Sequence, residues 1–568
     1  MKTPGLPGRL LPGLTVLRHY ERPWLRGDVL AGLAVTAYLV PQVIAYAGLA
    51  GLPPVAGLWA ILAPLALYAL FGSSRNLSVG PESTTALMTA AVIAPLAGGD
   101  PVRHAALAAG LAVMVGLLCL AAFVARLGFV ADLLSKPILV GYLAGVAVTM
   151  IVGQLGKLTG VPVAGDGIPA ELASFGRNLG QLHPGTVLLA TVVLGALLLG
   201  QWRFPGVPTP LLAVLAATGA VVMFDLQQHG IVVVGAVPQG LPTPALPDLG
   251  DLGQLLLPAV GILVVGYTDT VLTARAFADR SGHPVDANQE LLALGVANIG
   301  AGVLRGFPIS SSGSRTALGV AAGSRTQVYS LVALGGVGAV LLFAGPLLAH
   351  FPTAALGAIV VYAATRLIDV AGFRRLFRFR RSEFLLALAA LAGVLVFDIL
   401  YGVLLAIGLS VAEMLHRVAR PHDAVQGFVP GLAGMHDIDD YPRATTVPGL
   451  LVYRYDSPLF FANAENFLRR ALDTVSRQPG PVAWFVLNVE ANVEVDSTGL
   501  EAVEALRAEL THRGIVFALA RAKQDLLAAL GAYGLTATIG PDRIFPTLPT
   551  AVAAYREWRQ SQVDAGER

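Results

Sequence analysis

Apolar and polar positions are distributed differently in the first three quarters of this chain and in the last quarter. Between Val29 and His416, about fourteen long apolar segments follow one another, several of them short or interrupted. Because a helix needs roughly 20 apolar residues to cross a bilayer, this pattern predicts a helical membrane domain of about fourteen spans. The last apolar segment, Leu385 to Val411, is split near residues 398–402, which predicts two helices joined by a tight turn.

From about Arg420 the pattern is that of a soluble α/β domain. Three runs predict strands, at 450–455, 482–489 and 515–519, and they alternate with helical patterns at 463–475, 500–512 and 523–530. We therefore predict five regions: a cytoplasmic amino-terminal segment 1–26, a transmembrane domain 27–419, a linker 420–440, an α/β domain 441–560 and a polar tail 561–568.

Composition and charge agree with a membrane protein and indicate its orientation. The 568 residues are 55% hydrophobic and only 13% charged, with a net charge of +2. Basic residues concentrate in one set of loops, most densely from Arg374 to Arg381, whereas the loop Asp225 to Asp251 has none. This bias predicts cytoplasmic termini in the inner (plasma) membrane; a lipid-headgroup or nucleic-acid patch is the alternative for the arginines. The single Cys119 excludes an intrachain disulfide.

Two stretches in different halves of the chain look like copies of one device. Ser78–Leu87 and Phe307–Leu318 each start with a Pro- or Gly-marked break, pass through small hydroxyl residues and then become helical. Breaks at corresponding positions of two halves indicate a transporter with its substrate site at the bilayer midplane. Helix amino termini present free N–H groups and a positive dipole end, which suits an anion. Close helix packing is the alternative role for these small residues. The candidate donors are Ser83, Thr84, Ser312 and Ser314.

Charged residues near these breaks suggest how transport is coupled. An arginine near the midplane, Arg315, costs at least ~2.5 kcal/mol and needs a compensating anion, either the substrate or Glu82. We hypothesise that Glu82 takes up a proton with the anion. Asp269 and Thr273 are four residues apart, so they lie on one face of a predicted helix. Asp269 either binds a cation there or forms an ion pair with Arg275 or Arg280.

Three segments of the membrane domain together resemble the sulfate permease (SulP) family of anion transporters. They are Pro41–Leu58, Asp286–Gly300 and the Ser314-Arg315 break. The resemblance implies seven plus seven helices in inverted repeats, like the uracil permease, with a core and a gate domain, usually as a homodimer. It also places Gln42, Tyr46, Gly313 and Arg315 at the anion pocket, and it makes Asp269 and Thr273 a possible sodium site. Family substrates include sulfate, bicarbonate, chloride, oxalate and dicarboxylates.

The segment Val495–Leu500 resembles the core motif of the STAS domain, named for sulfate transporters and anti-sigma-factor antagonists. The resemblance makes Thr498, beside Ser497, a possible regulatory phosphorylation site and the domain a possible site for a cytoplasmic partner. The alternative is structural, because Thr498 and Glu501 have the spacing of a capping box.

The residue patterns and the resemblance together predict a secondary active transporter of a small oxyanion; the resemblance makes sulfate the expected substrate, and Glu82 makes proton symport the expected coupling. Sodium-coupled bicarbonate import, C4-dicarboxylate transport, an uncoupled exchanger or channel, and a membrane-anchored signalling protein stay open as alternatives. No dinucleotide fingerprint, His/Cys cluster or supported Ser-His-Asp arrangement occurs, so we expect neither an enzyme nor a cofactor. The expected partners are the anion, H⁺ or Na⁺, and membrane lipid, with no nucleic acid.

Overall fold

The structure is a computed structural model that describes residues 10–132, 135–163, 167–203, 208–246, 252–281 and 285–566. The chain divides into two compact units, 1–410 and 411–568. Parts of the predicted regions lie outside the described residues: the first nine residues, residues 133–134, 164–166, 204–207, 247–251 and 282–284 of the predicted transmembrane domain, and the last two residues of the tail.

The first unit is helical, apart from two strands of two residues each. Its elements are α1 (Pro12–Arg18), α2 (Trp24–Leu49), α3 (Pro54–Phe71), β1 (Val79–Gly80), α4 (Ser83–Ala97), α5 (Pro101–Val124), α6 (Lys136–Gly153), α7 (Leu155–Thr159), α8 (Ile168–Arg177), α9 (Pro184–Arg203), α10 (Thr209–Met223), α11 (Leu252–Ser281), α12 (Ala287–Val303), β2 (Ser310–Ser311), α13 (Gly313–Ala321), α14 (Val328–Phe343), α15 (Gly345–Ala349), α16 (Thr353–Leu367), α17 (Val370–Phe379) and α18 (Arg381–Ala419).

Six helical stretches in the described residues are long and apolar enough to cross a bilayer: α2, α3, α5, 136–159, 253–278 and 353–379. Four shorter apolar helices, α4, α9, α10 and α14, accompany them. The first unit is therefore a helical membrane domain, and the number of about fourteen spans stays a prediction.

The last apolar segment turns back on itself within α18. A Cβ atom on Gly402 would lie 2.7 Å from the Cα of Val394, and one on Gly393 would lie 2.7 Å from the side chain of Leu405. In a straight helix these pairs are about 12 and 18 Å apart along the axis. The two-helix arrangement predicted from the split near residues 398–402 is therefore confirmed.

Helices of each half of the membrane unit pack against helices of the other half. Helix α5 of the first half packs against α11 and α12, which open the second half, while α14 packs against α2 and α3, which open the first. Two contacts are made through glycine: a Cβ on Gly116 would lie 2.7 Å from the carbonyl oxygen of Gly295, and one on Gly295 would lie 3.0 Å from that of Gly116. Only glycine lets the helix backbones approach so closely.

The second unit contains a six-stranded sheet with helices on its faces. Its elements are β3 (Asp423–Phe428), β4 (Met435–Asp437), β5 (Leu450–Tyr455), α19 (Ala464–Ser476), β6 (Trp484–Asn488), α20 (Ser497–His512), β7 (Val516–Ala520), α21 (Gln524–Ala532), α22 (Leu535–Ile539), β8 (Ile544–Phe545) and α23 (Leu548–Gly566). The strand order is β4-β3-β5-β6-β7-β8, with β5 to β8 parallel and β3 antiparallel to both neighbours.

The segment predicted as a linker, 420–440, contains two strands of this sheet. Strand β3 pairs with β5, with Ala424 opposite Arg454. Asp423 accepts a hydrogen bond of 2.7 Å from the Tyr453 hydroxyl and forms an ion pair with Arg470 of α19. Residues 423–437 therefore belong to the folded carboxy-terminal unit, because backbone pairing with a distant strand gives them an order that their own mixed composition does not indicate.

Candidate functional site

The two helix breaks meet at the centre of the membrane unit. Strands β1 and β2 are antiparallel, with Val79 opposite Ser311 and Gly80 opposite Ser310, and the Ser312 N–H donates to the Ser78 carbonyl (2.8 Å). Each strand leads directly into a helix, α4 or α13. The pairing therefore brings both helix amino termini to one place, and neither helix has a side-chain cap bond at its N-cap residue, Glu82 or Ser312.

A cavity of about 250 Å³ lies against both helix amino termini. It is lined from the first half by α2, the start of α4 and α6, and from the second half by α11, β2, the start of α13, and α16. The lining residues are Tyr38, Gln42, Tyr46, Glu82, Thr84, Thr85, Leu139, Leu143, Val265, Gly266, Asp269, Thr273, Ser310, Ser311, Gly313, Ser314, Tyr362, Ala363, Arg366 and Leu367.

Most residues proposed from the sequence lie together in this cavity. Those that line it are Gln42, Tyr46, Glu82, Thr84, Asp269, Thr273, Gly313 and Ser314. Ser83 and Ser312 are buried next to lining residues but do not line the cavity themselves. The Ser83 hydroxyl donates to Glu82 Oε1 (3.0 Å), and the Ser312 and Ser314 hydroxyls share a hydrogen bond (3.2 Å). The structure thus separates the proposed donors into lining and supporting groups.

Arg315 is completely buried and does not line the cavity. Its Nε donates to the Ser78 hydroxyl (3.2 Å), and its Nη1 donates to the Pro81 carbonyl (2.9 Å) and to Gln42 Oε1 (3.2 Å). Its Nη1 is 3.9 Å from Glu82 Oε2, and Nη2 has no hydrogen-bond partner among the described residues. Arg315 therefore acts on the cavity through Gln42 and Glu82, which do line it.

Glu82 and Asp269 are two carboxylates in the same cavity. The Glu82 side chain is 17% exposed, and its Oε2 atom has no hydrogen-bond partner in the described part of the chain. Asp269 Oδ2 accepts a hydrogen bond of 2.9 Å from the Ser311 hydroxyl. Thr273 lies one helical turn further along α11 and also lines the cavity. Carboxylate and hydroxyl oxygens that converge in this way suit a hard cation or a proton.

Arg366 is a cavity residue that the sequence did not reveal. It lies at the end of α16, is exposed, and its Nη1 donates to the Tyr362 hydroxyl (3.2 Å). In the sequence it follows a long apolar run, where an arginine ordinarily marks the membrane surface. Tyr38 and Tyr362 were missed for a similar reason, since a tyrosine in an apolar helix has no distinguishing neighbour. Spatial convergence is the signal that identifies all three.

The proposed phosphorylation site lies in the carboxy-terminal unit. Ser497 and Thr498 are exposed at the start of α20. The N-cap residue of this helix is Asp496, whose Oδ1 accepts from the Gly499 N–H (2.7 Å) and whose Oδ2 accepts from the Phe461 N–H (2.9 Å). The alternative prediction, a capping box formed by Thr498 and Glu501, is therefore wrong, because Asp496 caps the helix and Thr498 lies inside its first turn.

Two family models match most of the chain. Residues 25–390 match the sulfate permease family, and residues 441–551 match the STAS domain. A probable sulfate transporter of Mycobacterium tuberculosis is 60% identical over 548 residues, which cover 96% of this chain and 98% of that protein. Probable sulfate transporter 4.2 of Arabidopsis thaliana is 31% identical over 579 residues, covering 98% and 85% of the two chains.

Solved structures show that the fold is shared with known transporters. The murine anion transporter Slc26a9, in its inward-facing state, matches with a TM-score of 0.89 at 23% identity, covering 96% of this chain and 94% of that one. The transmembrane domain of the cyanobacterial bicarbonate transporter BicA matches with a TM-score of 0.61 at 22% identity, covering 69% and 98%. The fold predicted from the sequence, a helical transporter domain followed by a STAS domain, is confirmed.

Proposed function

Because the chain belongs to the sulfate permease family of membrane transporters, we propose that it imports a small oxyanion, with sulfate as the expected substrate, by symport with protons. The relatives named as sulfate transporters support this substrate. The observation that carries the proposal is the single cavity at which both broken helices begin. An anion there is held by the two helix amino termini and by cavity hydroxyls.

The energetics of such a site suit transport. One helix amino terminus stabilises an anion by about 0.3 to 2 kcal/mol, so two of them support binding that is specific and still reversible. Hydroxyls of Thr84 and Ser314 add neutral hydrogen bonds. The site therefore binds an anion without a tight fixed-charge clamp that would prevent its release.

The charges around the cavity favour coupling to a cation. Glu82 and Asp269 are matched by Arg315 and Arg366, so the site has no net positive charge to offer a dianion. Two unit charges 4 Å apart interact by about 4 kcal/mol at an effective dielectric constant of 20. Protonation of one or both carboxyls removes this repulsion when the anion binds. Proton symport is the simplest way to bring a dianion into this cavity.

The position of Arg366 suggests the route to the cytoplasm. Arg366 and Leu367 line the cavity at the end of α16, and the basic helix α17 follows two residues later. We call this end of the membrane unit the arginine face and the opposite end the far face. With the arginine face in the cytoplasm, as the positive-inside rule predicts, the cavity opens inward and both termini are cytoplasmic. Displacement of the core against the gate helices then exposes it outward.

The test is uptake by proteoliposomes that contain the purified full-length protein. Labelled sulfate, bicarbonate, fumarate and chloride are offered separately, each under an imposed proton gradient, an imposed sodium gradient or neither. The proposal expects sulfate to accumulate against its own gradient only when protons flow inward. Accumulation is the discriminating measurement, because a channel or uncoupled exchanger equilibrates its anion without exceeding the gradient. Absence of sulfate accumulation under every gradient contradicts the proposal.

A second candidate, sodium-coupled bicarbonate import, is favoured by one observation. Asp269, its partner Ser311 and Thr273 line one side of the cavity and present oxygen atoms to it. Under this alternative, Asp269→Asn abolishes sodium-dependent uptake, whereas Asp225→Asn, at an exposed position in a loop, does not. Uptake by the unaltered protein that is the same with sodium and with choline excludes the alternative.

Regulation at the STAS domain is a separate proposal. Thr498, with Ser497 beside it, is accessible to a kinase at the amino terminus of α20, where a phosphate is electrostatically favoured. Thr498→Glu should then change the uptake rate while Thr498→Val leaves it at the unmodified level. Equal rates for both variants, with no phosphate detected at Thr498 in cells by mass spectrometry, contradict this role.

A further inference from the structure

Lys157 occupies the far face, beyond the cavity. On α2 the cavity is lined by Tyr38, Gln42 and Tyr46, and Gly48 comes next along the helix, near its carboxyl end. Lys157, on the short helix α7, donates from Nζ to the Gly48 carbonyl (3.4 Å). The contact joins a helix of the first half that lines the cavity to the segment that follows α6.

Contacts with the neighbouring helix α16 also place Lys157 beyond the cavity. Its cavity-lining residues, Tyr362 to Leu367, are at its carboxyl end, whereas Gly357 lies more than one turn earlier. A Cβ on Gly357 would lie 3.3 Å from Lys157 Cβ and 3.6 Å from Gln154 Oε1. Helices α2, α7 and α16 are therefore packed together directly beyond the cavity, and this packing separates it from the far face.

The Lys157 ammonium is incompletely satisfied in this packing. It has three donors but only the one long bond to Gly48, and no carboxylate described by the structure lies within 4 Å of it. Gln154, which is 2% exposed, also has an Oε1 atom with no hydrogen-bond partner among the described residues. The carboxyl end of α2 attracts a cation, but partial burial of an ammonium without a carboxylate partner opposes the contact. Such a contact is readily broken.

We propose that the incompletely hydrogen-bonded Lys157 ammonium makes the closed far face metastable in this conformation and becomes the first cation that an arriving anion meets when that face opens. The inference rests on the proposed import of an anion, and it adds a positioning residue outside the cavity. When α2 moves relative to α7, the ammonium loses its hydrogen bond to Gly48 and gains contact with water and the anion. Lys157 would thus offer the anion a cation on the far face, as Arg366 offers one at the cavity on the arginine face.

The first test measures uptake by intact cells, in which external anion reaches the far face. Lys157→Met keeps the length of the side chain and removes its charge, Lys157→Arg keeps the charge, and Lys136→Met is a matched control at an exposed lysine of the arginine face. We expect Lys157→Met to raise KM for the external anion at least about fivefold with a smaller change in kcat. Lys157→Arg and Lys136→Met should stay within about twofold of the unaltered protein.

The second test measures the conformation without transport. In a Cys119→Ala background, a Leu367→Cys reporter is labelled from the arginine face with a membrane-impermeant maleimide. Replacing Lys157 by Met removes the cost of a partly buried ammonium from this conformation, so labelling should become at least about fivefold faster. Lys136→Met should not change the labelling rate.

The outcomes separate the two proposals. If the labelling rate is unchanged in Lys157→Met, or if Lys157→Arg raises KM as much as Lys157→Met, the residue only fills space and the inference is overturned. If Lys157→Met does not yield folded protein, the same measurements on Lys157→Gln decide in the same way. If the unaltered protein transports no anion while labelling still responds to Lys157, the proposed function fails but the effect of Lys157 on the closed far face stands.

Discussion

The two broken helices share a backbone plan and differ in chemistry. In the first, β1 leads into α4 through Pro81 and Glu82, and a carboxylate stands at the N-cap. In the second, β2 leads into α13 through Ser312, and the third helical residue is Arg315. The register of β1 with β2 is symmetric, yet one copy carries a negative group and the other a positive one. The symmetry thus concerns the backbone, whereas the side chains assign different roles to the copies.

The arginine of the second break serves the first. Its hydrogen bonds end on Ser78 and Pro81, both in the first break, and on Gln42 of α2. In the other direction, the Thr316 hydroxyl of α13 accepts from the Ser78 N–H (3.0 Å). The two halves are therefore linked by buried polar bonds at the site itself. We infer that a substitution in either break will alter the structure of both.

The largest expected effect comes from Arg315→Met. It removes three hydrogen bonds and the cation closest to Glu82, and breaking a buried charge pair costs about 3–5 kcal/mol. Uptake should fall by at least about 100-fold, with a lower melting temperature of the purified protein. The Arg315→Lys variant should recover only part of the activity, since an ammonium lacks the planar fork. Exposed Arg378→Met is the control, and uptake by Arg315→Met above half the normal rate contradicts the prediction.

The next effect distinguishes the carboxylate of the first break. Glu82→Gln keeps the shape of the side chain but cannot take up a proton with the anion. We expect concentrative uptake to be lost and exchange of anion across the membrane to persist, with no remaining dependence on the proton gradient. Glu21→Gln, at an exposed position, should behave like the unaltered protein. A normal pH dependence of uptake in Glu82→Gln shows that the proton binds elsewhere.

A moderate loss of stability should follow when the backbone before either break loses its hydrogen bonds to a side chain from elsewhere in the chain. The Asn298 side chain exchanges two hydrogen bonds with Ile309 before the second break (2.9 and 3.2 Å). The Gln327 amide donates to Ser74 and Leu77 before the first (3.0 and 2.9 Å). Replacing either by Ala leaves buried backbone groups unpaired, at a cost of about 1–3 kcal/mol. Thermal unfolding in detergent measures this, with exposed Gln227→Ala as control; a variant that melts normally shows its break needs no such support.

The last comparison, which includes the smallest expected effect, tests how much space each break leaves. A Cβ on Gly80 would lie 1.9 Å from Ile61 Cδ1, whereas one on Gly313 meets nothing closer than 3.9 Å. Gly80→Ala should therefore destabilise the protein by about 1–3 kcal/mol through overpacking. Gly313→Ala should change stability by less than about 1 kcal/mol. The pair is compared by melting temperature, and equal effects would mean that packing does not differ between the breaks.

Sequence patterns predicted the carboxy-terminal fold closely where strands are apolar throughout. Strand β5 has the predicted bounds, Leu450–Tyr455, and β6 and β7 lie within their predicted segments or one residue from them. Strands β3 and β4 were missed, because residues 423–437 mix polar and apolar types and are ordered by pairing with β5. Local composition predicts an element when its own burial requires it, and fails when a distant partner supplies the order.

The residues of the candidate site likewise fall into those that the sequence predicted and those that it did not. Glu82, Asp269 and Arg315 stood out because a charge inside an apolar helix is costly and demands a reason. Gln42 and Tyr46 were found only through the family resemblance. Arg366, Lys157 and the burial of Arg315 behind the cavity were not predictable, since each depends on which helices come together. An arginine or lysine near the end of an apolar segment has an ordinary role until its neighbours are known.

The sequence by itself determined that this protein spans a membrane, that a STAS domain follows, and that two helix breaks form a pair. These features are written in composition and in local order, which the cost of burying charges and unpaired backbone groups constrains directly. Only the tertiary structure decided that both helix amino termini share one cavity, that Arg315 supports the first break from behind, and that Lys157 lies against Gly48 and Gly357. Those arrangements depend on contacts between residues that are 109 to 237 positions apart in the sequence. Local patterning does not specify such contacts.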